Sequence, residues 1–399
     1  MPSFADWLPG PRRALLRLLL CVGVYGCAGD KPIPDGSPAP STRAGEAPQC
    51  TDTLLLPTSG VYVVTALDQP IPAAALALPG VEGIVIRASW RKLQPSAQEP
   101  IFKSIDEQFA AARRFGKKVS LSIEAGVDTP DWVYTLGARP YQFVLDGDGG
   151  DRMCQRGRIP IPWDPVYLDA FKQLIRAASH RFNRSTVLTH VKVTGLGAVG
   201  QPAALPHAPG RTLSNGQKTC TTTDEVSGWL DVGYSRQRVL QTWREMIEAY
   251  AQNFSSHRLA VVIDTQGFPP IDERGQVIRG ASYDSDIVPE MIKLALSGRE
   301  PRVLMQSNDL TNTSAYPFPI RFGDEVAIGY QLRFAVSGDK AFRMNGGTPE
   351  SPVAIFDGIV RRGVAARGRY LEVRVEDALD PQLGASLSGA RILLRRSVR

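Results

Sequence analysis

The sequence predicts an α/β chain in which eight strands alternate with helices and close into a single (β/α)8 barrel. Three observations carry that expectation. Short runs dominated by Val, Ile and Leu recur from about residue 60 to about residue 380, as parallel strands buried on both faces require. Amphipathic stretches of helical period lie between them. The chain has 399 residues, 43% hydrophobic and 22% charged, so it can bury a sizeable core, and such barrels use about 250 residues as one unit.

The strand candidates, in order, are Val61–Val64, Gly83–Ala88, Val119–Ile123, Val187–Thr194, Leu259–Asp264, Arg302–Gln306, Val326–Gln331 and Tyr370–Val375. Helical patterns fall at Ile105–Phe115, Pro165–Phe182, Ser235–Phe254, Ile287–Leu296 and Pro349–Arg362. The first connection holds only a short helix at Ala73–Leu78, and the sixth, Thr311–Asp324, reads as loop. The alternative is a doubly wound open sheet. That fold more often carries a Gly-rich phosphate turn after its first strand, where this chain has Thr65-Ala66-Leu67-Asp68.

Ahead of the barrel, residues 1–26 place Arg12, Arg13 and Arg17 before an apolar stretch, Leu18 to Tyr25, the layout of an export signal. The stretch ends in Val24-Tyr25-Gly26-Cys27, which resembles the bacterial lipoprotein cleavage box, with Tyr25 in place of the usual small residue. That resemblance implies a lipid on Cys27 and a domain anchored at the cell envelope, facing the periplasm or exterior. An ordinary cleaved signal with an incidental Cys is the alternative. Residues 27–56 are rich in Pro, Gly, Ala and Ser and read as a tether, leaving residues 57–399 for the barrel.

The chain's +6 charge falls to +4 without the signal, and the remaining basic residues are interleaved with acids. No nucleic-acid footprint is therefore expected. The basic tail Leu393–Arg399 reads as a solvated end. Export would put Cys50, Cys154 and Cys220 in an oxidising compartment, and Cys154 with Cys220 is the preferred disulfide because both fall in long loops.

Active sites of such barrels are built at the C-terminal ends of the strands. That rule selects Trp90 after the second strand, Glu124 and Trp132 after the third, and Gln201 after the fourth. It also selects Asp264 and Gln266, then Asn308 and Asp309, then Tyr330 and Gln331, and finally Glu372 with Glu376 and Asp377. With Tyr141 and Trp163 in nearby loops, these residues describe an aromatic, amide-rich mouth. Ring faces stack on sugars while amides meet hydroxyls, so the expected partner is a carbohydrate.

The segment Gly83-Ile84-Val85-Ile86-Arg87-Ala88-Ser89-Trp90-Arg91-Lys92-Leu93-Gln94-Pro95, then Ile105-Asp106, Gly116-Lys117-Lys118-Val119 and Pro130-Asp131-Trp132, resembles the clan A glycoside hydrolases. These are the TIM-barrel superfamily of cellulases and family 42 type beta-galactosidases. The resemblance implies a sugar groove, a Glu acid/base after the fourth strand and a Glu nucleophile ending the seventh. This chain has Gln201 and Gln331 at those places, and an amide cannot transfer a proton to a leaving group. Two readings follow. One is a glycoside hydrolase with a relocated carboxylate pair, Glu124 and Glu372. The other is a non-catalytic, carbohydrate-binding lipoprotein in which Gln201 and Gln331 hold sugar hydroxyls.

No cofactor is implied. The four His show no metal-ligand spacing, and the Asp146, Asp148, Asp151 loop lacks the terminal Glu of a calcium hand, so no metal is expected. The oligomeric state is left open.

Overall fold

The computed structural model describes residues 58–145, 153–198, 202–214, 218–298, 302–318 and 326–396. The expected signal and tether, Cys27, Cys50, the Asp146–Asp151 segment and Gln201 lie outside the described residues.

Eight parallel strands form a closed barrel. They are β1 (Gly60–Val64), β2 (Gly83–Ser89), β3 (Lys118–Glu124), β6 (Leu188–Lys192), β9 (Arg258–Ile263), β10 (Val303–Leu310), β11 (Ile328–Leu332) and β12 (Gly368–Arg374). β12 closes the ring on β1, with Val64 opposite Arg374. The chain is thus a single (β/α)8 barrel, with strands at all eight expected places. The sixth barrel strand runs four residues further than expected, so Asn308 and Asp309 belong to β10 and not to the loop after it.

The helices start where the sequence supplies caps. Pro165–Phe182 begins with Pro at its first turn, and Asp164 Oδ1 accepts hydrogen bonds from Val166 N (3.1 Å) and Tyr167 N (3.3 Å). Ser235 and Ser351 cap Arg236–Asn253 and Pro352–Ala365 in the same way. Their apolar faces, with Phe171, Leu174 and Ile175 as examples, pack on the outside of the strands and form the main core.

Inside the barrel a smaller cluster gathers Tyr62, Val64, Val85, Ala260, Leu304, Ala327 and Tyr370. Alternation along each strand sends residues two apart inward together, so Tyr370, Glu372 and Arg374 stack up β12 toward the mouth. The Tyr rings need room, and neighbouring strands supply it as glycine. A Cβ at Gly83 would meet the Tyr62 ring, and one at Gly329 would meet the Tyr370 ring.

Two hairpins that the strand reading missed are inserted on the mouth side. β4 (Pro140–Val144) pairs with β5 (Arg156–Pro160), and β7 (Thr212–Ser214) with β8 (Thr219–Thr221). Cys154 and Cys220 are disulfide-bonded across them, Cα to Cα 5.7 Å. The basic tail departs from its expected solvated state. Gly384–Arg396 is a helix, Leu394 is fully buried, and Arg391 and Arg395 both bond Glu82. The apolar side of this helix, Leu387, Ala390 and Leu394, accounts for the difference.

Candidate functional site

The eighth strand carries Glu372 to the barrel interior, not to the mouth. It has no exposed surface and bonds Lys192 Nζ at 2.7 Å. Gln306 Nε2 donates to the same carboxylate oxygen at 3.0 Å and to Asn308 Oδ1 at 2.8 Å, and Tyr370 OH donates to Gln306 Oε1 at 2.8 Å. This is a closed polar layer across the barrel. A carboxylate held in this layer is not presented at the mouth, where the sequence reading expects Glu372 to act.

Glu124 does lie at the end of β3, but it too is enclosed. Its Oε1 sits 3.5 Å from Arg87 Nε and accepts a 2.9 Å hydrogen bond from Ser122 Oγ. The space beside it, bounded by Gly195, Gly197, Ala198 and Pro202, amounts to about 10 Å³, enough for one water and no sugar. Glu124 and Glu372 therefore do not form a facing pair at an open mouth.

The aromatic residues are largely structural. Trp90 is fully buried against Phe171, Tyr167 and Trp132, with Nε1 donating to Gln94 Oε1 at 2.9 Å. Half-buried Trp132 donates to the Gln94 carbonyl at 2.8 Å. Trp163 packs beside Trp229 and Tyr234. Tyr141 stacks on Trp229 at 3.8 Å, which fixes the first hairpin. Tyr330 is buried with its hydroxyl donating to the carbonyls of Tyr316 (2.9 Å) and Ala366 (3.1 Å), so its ring faces the outer layer. These contacts correct the expectation that Trp90 and Tyr330 offer open stacking platforms.

Among the described residues, Asp264 and Asp309 are half-buried carboxylates at neighbouring strand ends. Asp264 follows β9 and is half-buried; its Oδ1 accepts a hydrogen bond from Gln266 N at 3.0 Å, while the Gln266 side chain is exposed. Burial pushes its carboxyl above the usual range, against that hydrogen bond and the nearby His207 and Arg333. Asp309, near the end of the adjacent β10, has a side chain 38% exposed and an Oδ1 3.8 Å from Arg333 Nε. It too is held above the usual range, first by burial and then by the charge of Asp264, with Arg333 acting the other way. The sequence singles out both as substrate contacts, and burial, with the charge of Asp264 added at Asp309, makes them candidates for proton transfer.

Gln331 is half-buried near the end of β11, two residues before exposed Arg333, where the next loop begins. Arg333, Arg374 and Arg87 were not singled out as site residues. Parity would have found two of them: Arg374 lies two residues after Glu372, and Arg87 two after Val85, on the inward face. Among the described residues no three His, Cys, Asp or Glu gather as a metal site. No described helix is long and apolar enough to cross a membrane.

No family model matches the chain, and no curated protein matches it by sequence. Among solved structures it is similar to the catalytic domain of a beta-amylase from Paenibacillus polymyxa, with 13% identity and a TM-score of 0.54 over 85% of this chain and 98% of that one. A beta-galactosidase from the psychrophilic Marinomonas ef1 overlays at TM-score 0.43 and 10% identity, over 84% of this chain and 61% of its own. A sugar phosphate isomerase/epimerase from Parabacteroides distasonis ATCC 8503 overlays at 0.42 and 10%, over 86% and 96%. These last two overlays are too loose to carry an argument. The first shows the fold alone: a single (β/α)8 barrel.

Proposed function

We propose that this chain hydrolyses a glycan at its barrel mouth, with Asp309 as general acid and Asp264 as base or nucleophile in place of Glu372 and Glu124. The observation that carries this reading is the pair itself: two half-buried carboxyls on adjacent strands, both raised by burial, with Asp264 raising Asp309 further. Glycosidic cleavage needs one carboxyl to give a proton and another to take one or attack. The backbone hydrogen bond from Gln266 favours the ionised form at Asp264, which suits Asp264 to the base role and leaves the acid role to Asp309. Exposed Gln266 and half-buried Gln331 are amides suited to sugar hydroxyls. The fold likeness to a beta-amylase catalytic domain makes glycans the substrate class to test.

The test is turnover of a panel of aryl glycosides and polysaccharides by wild type, Asp309→Asn and Asp264→Asn. Each variant is expected to lose about 10²–10⁴ in kcat, and Asp309→Asn to lose the high-pH limb of the rate profile. Wild-type rates in both variants would refute the assignment. Oligosaccharide binding by wild type without any turnover would establish the non-catalytic, sugar-binding reading, which the two amides at positions 201 and 331 favour.

The Cys27 box supports a second part of the proposal: a lipid-anchored protein of a bacterial cell envelope. Cys27→Ser should move the protein from the membrane to the soluble fraction, and unchanged fractionation would count against the anchor.

A further inference from the structure

Charge is distributed unevenly around the mouth. Strand order runs β11, β12, β1, β2 on one side, which brings Arg333, Arg374 and Arg87 together, and β3, β6, β9, β10 on the other, with Glu124, Asp264 and Asp309. On the basic side a cleft of about 380 Å³ opens between the ends of β1, β11 and β12, lined by Thr65, Arg333, Phe334, Lys340, Arg374 and Glu376.

The cations there are gathered, not scattered. Arg333, Lys340 and Arg343 stand 5.5, 5.1 and 5.9 Å from the centroid of the Phe334 ring. The loop that carries them is pinned by buried Asp377, whose Oδ1 accepts hydrogen bonds from Val336 N and Ser337 N, both at 2.9 Å. Arg374 is half-buried at the end of β12. Its Nη2 donates to the Arg333 carbonyl at 3.4 Å, and no described carboxylate comes within 4.0 Å of its guanidinium. Burial, and then the neighbouring Arg87, push it below the usual arginine range, while Glu376, Glu372 and Asp377 act the other way. Glu376 and Asp339 are the acids of the cleft, and both are exposed. Three cations thus share a cleft with two solvated acids, and the half-buried one, Arg374, makes no ion pair with a described carboxylate within 4.0 Å.

We propose that this cleft binds an anionic substituent of the saccharide, a uronate carboxylate or a phosphate ester, so that the substrate is an acidic glycan. Its position as a substrate subsite rests on the function proposed above. Guanidinium groups meet carboxylate and phosphate oxygens in a planar fork, and an anion arriving here would relieve the Arg374–Arg87 repulsion. The Phe334 ring beside it offers a face to the sugar. Arg333 spans the two halves, since it lines the cleft and lies 3.8 Å from Asp309. An acidic residue seated here would therefore set the neighbouring glycosidic bond against Asp309.

Calorimetric titration with an oligogalacturonate, glucose 6-phosphate and a neutral maltooligosaccharide tests the proposal. An acidic probe should bind at least about ten-fold tighter than the neutral one, and high salt should erode that preference. Arg374→Gln and Lys340→Gln should each reduce the acidic-to-neutral ratio, with thermal melts confirming that both fold. The tighter of the two acidic probes tells carboxylate from phosphate. Equal affinity for acidic and neutral probes, no binding of either acidic probe, or a preference indifferent to salt and to both variants would overturn it. Turnover measured in parallel separates the two claims. An acidic ligand held through Arg374 but never cleaved keeps the anion site and removes the Asp264–Asp309 chemistry. Asp309-dependent cleavage of neutral sugars without any acidic preference does the reverse.

Discussion

The substitution Glu372→Gln separates a structural carboxylate from a catalytic one. In the native barrel Glu372 has no exposed surface and Lys192 is 4% exposed, so the desolvation of each ion is offset chiefly by its partner, with one hydrogen bond from Gln306 to the carboxylate. The amide keeps the side chain's shape and can still accept the hydrogen bond from Gln306, but it leaves the Lys192 ammonium buried without an opposite charge. Breaking a buried pair from one side costs about 3–5 kcal/mol. An independent bound agrees: releasing the proton from a lysine of ordinary pKa, about 10.4, at pH 7 costs about 4.6 kcal/mol. At about 2.1 cal/mol/K per residue, a folded unit of roughly 340 residues unfolds with about 0.7 kcal/mol/K of entropy, so the melting temperature should drop by about 4–7 °C. The double change Lys192→Met with Glu372→Leu removes both charges and should recover most of the loss. Differential scanning calorimetry is the assay. A Glu372→Gln protein that melts like wild type but has lost turnover would refute the structural assignment and return Glu372 to the mechanism.

Two further outcomes follow from the same interior. Gly329→Ala drives a Cβ into the buried Tyr370 ring and should cost about 1–3 kcal/mol, a fall of about 1–4 °C in Tm, with partial recovery in the Tyr370→Leu background; an unchanged Tm would sink the packing argument. Asp264 is raised by burial, so its stability contribution is present below its unfolded pKa, about 3.9, and is lost as pH climbs through the folded value. Asp264→Asn should therefore melt above wild type at pH 7, with the advantage vanishing below about pH 4; the opposite slope would mean that the carboxylate is stabilised when ionised.

The barrel was legible because parallel strands covered on both faces must be continuous apolar runs, and segments such as Gly83–Ser89 and Arg258–Ile263 satisfy that demand with little else. The insertions were not. In β4 the alternation is only Tyr141 and Phe143 inward with Gln142 out, and β7 and β8 are three residues each, too short for periodicity to register. Among site residues the difficulty was depth. Glu372 and Arg374 occupy the same inward face of one strand, two residues apart, yet the first is sealed in the interior and the second reaches the mouth. Parity gives the face, but the layer depends on the register with Tyr62 and Val64 of β1, which only the closed barrel defines.

That dependence on layer explains why the mouth's polarity is a property of closure and not of any one segment. Arg333, Arg374 and Arg87 are spread over nearly 290 residues of chain and share no motif. They become neighbours because β12 lies between β11 and β1, and β2 follows β1. The same closure puts Asp264 and Asp309 on adjacent strands across the ring. A neutral substrate would use the acidic half and leave Arg374 without an ion-pair partner, whereas an acidic one engages both halves. Substrate charge is therefore the variable that best discriminates among functions for this barrel, ahead of linkage or chain length.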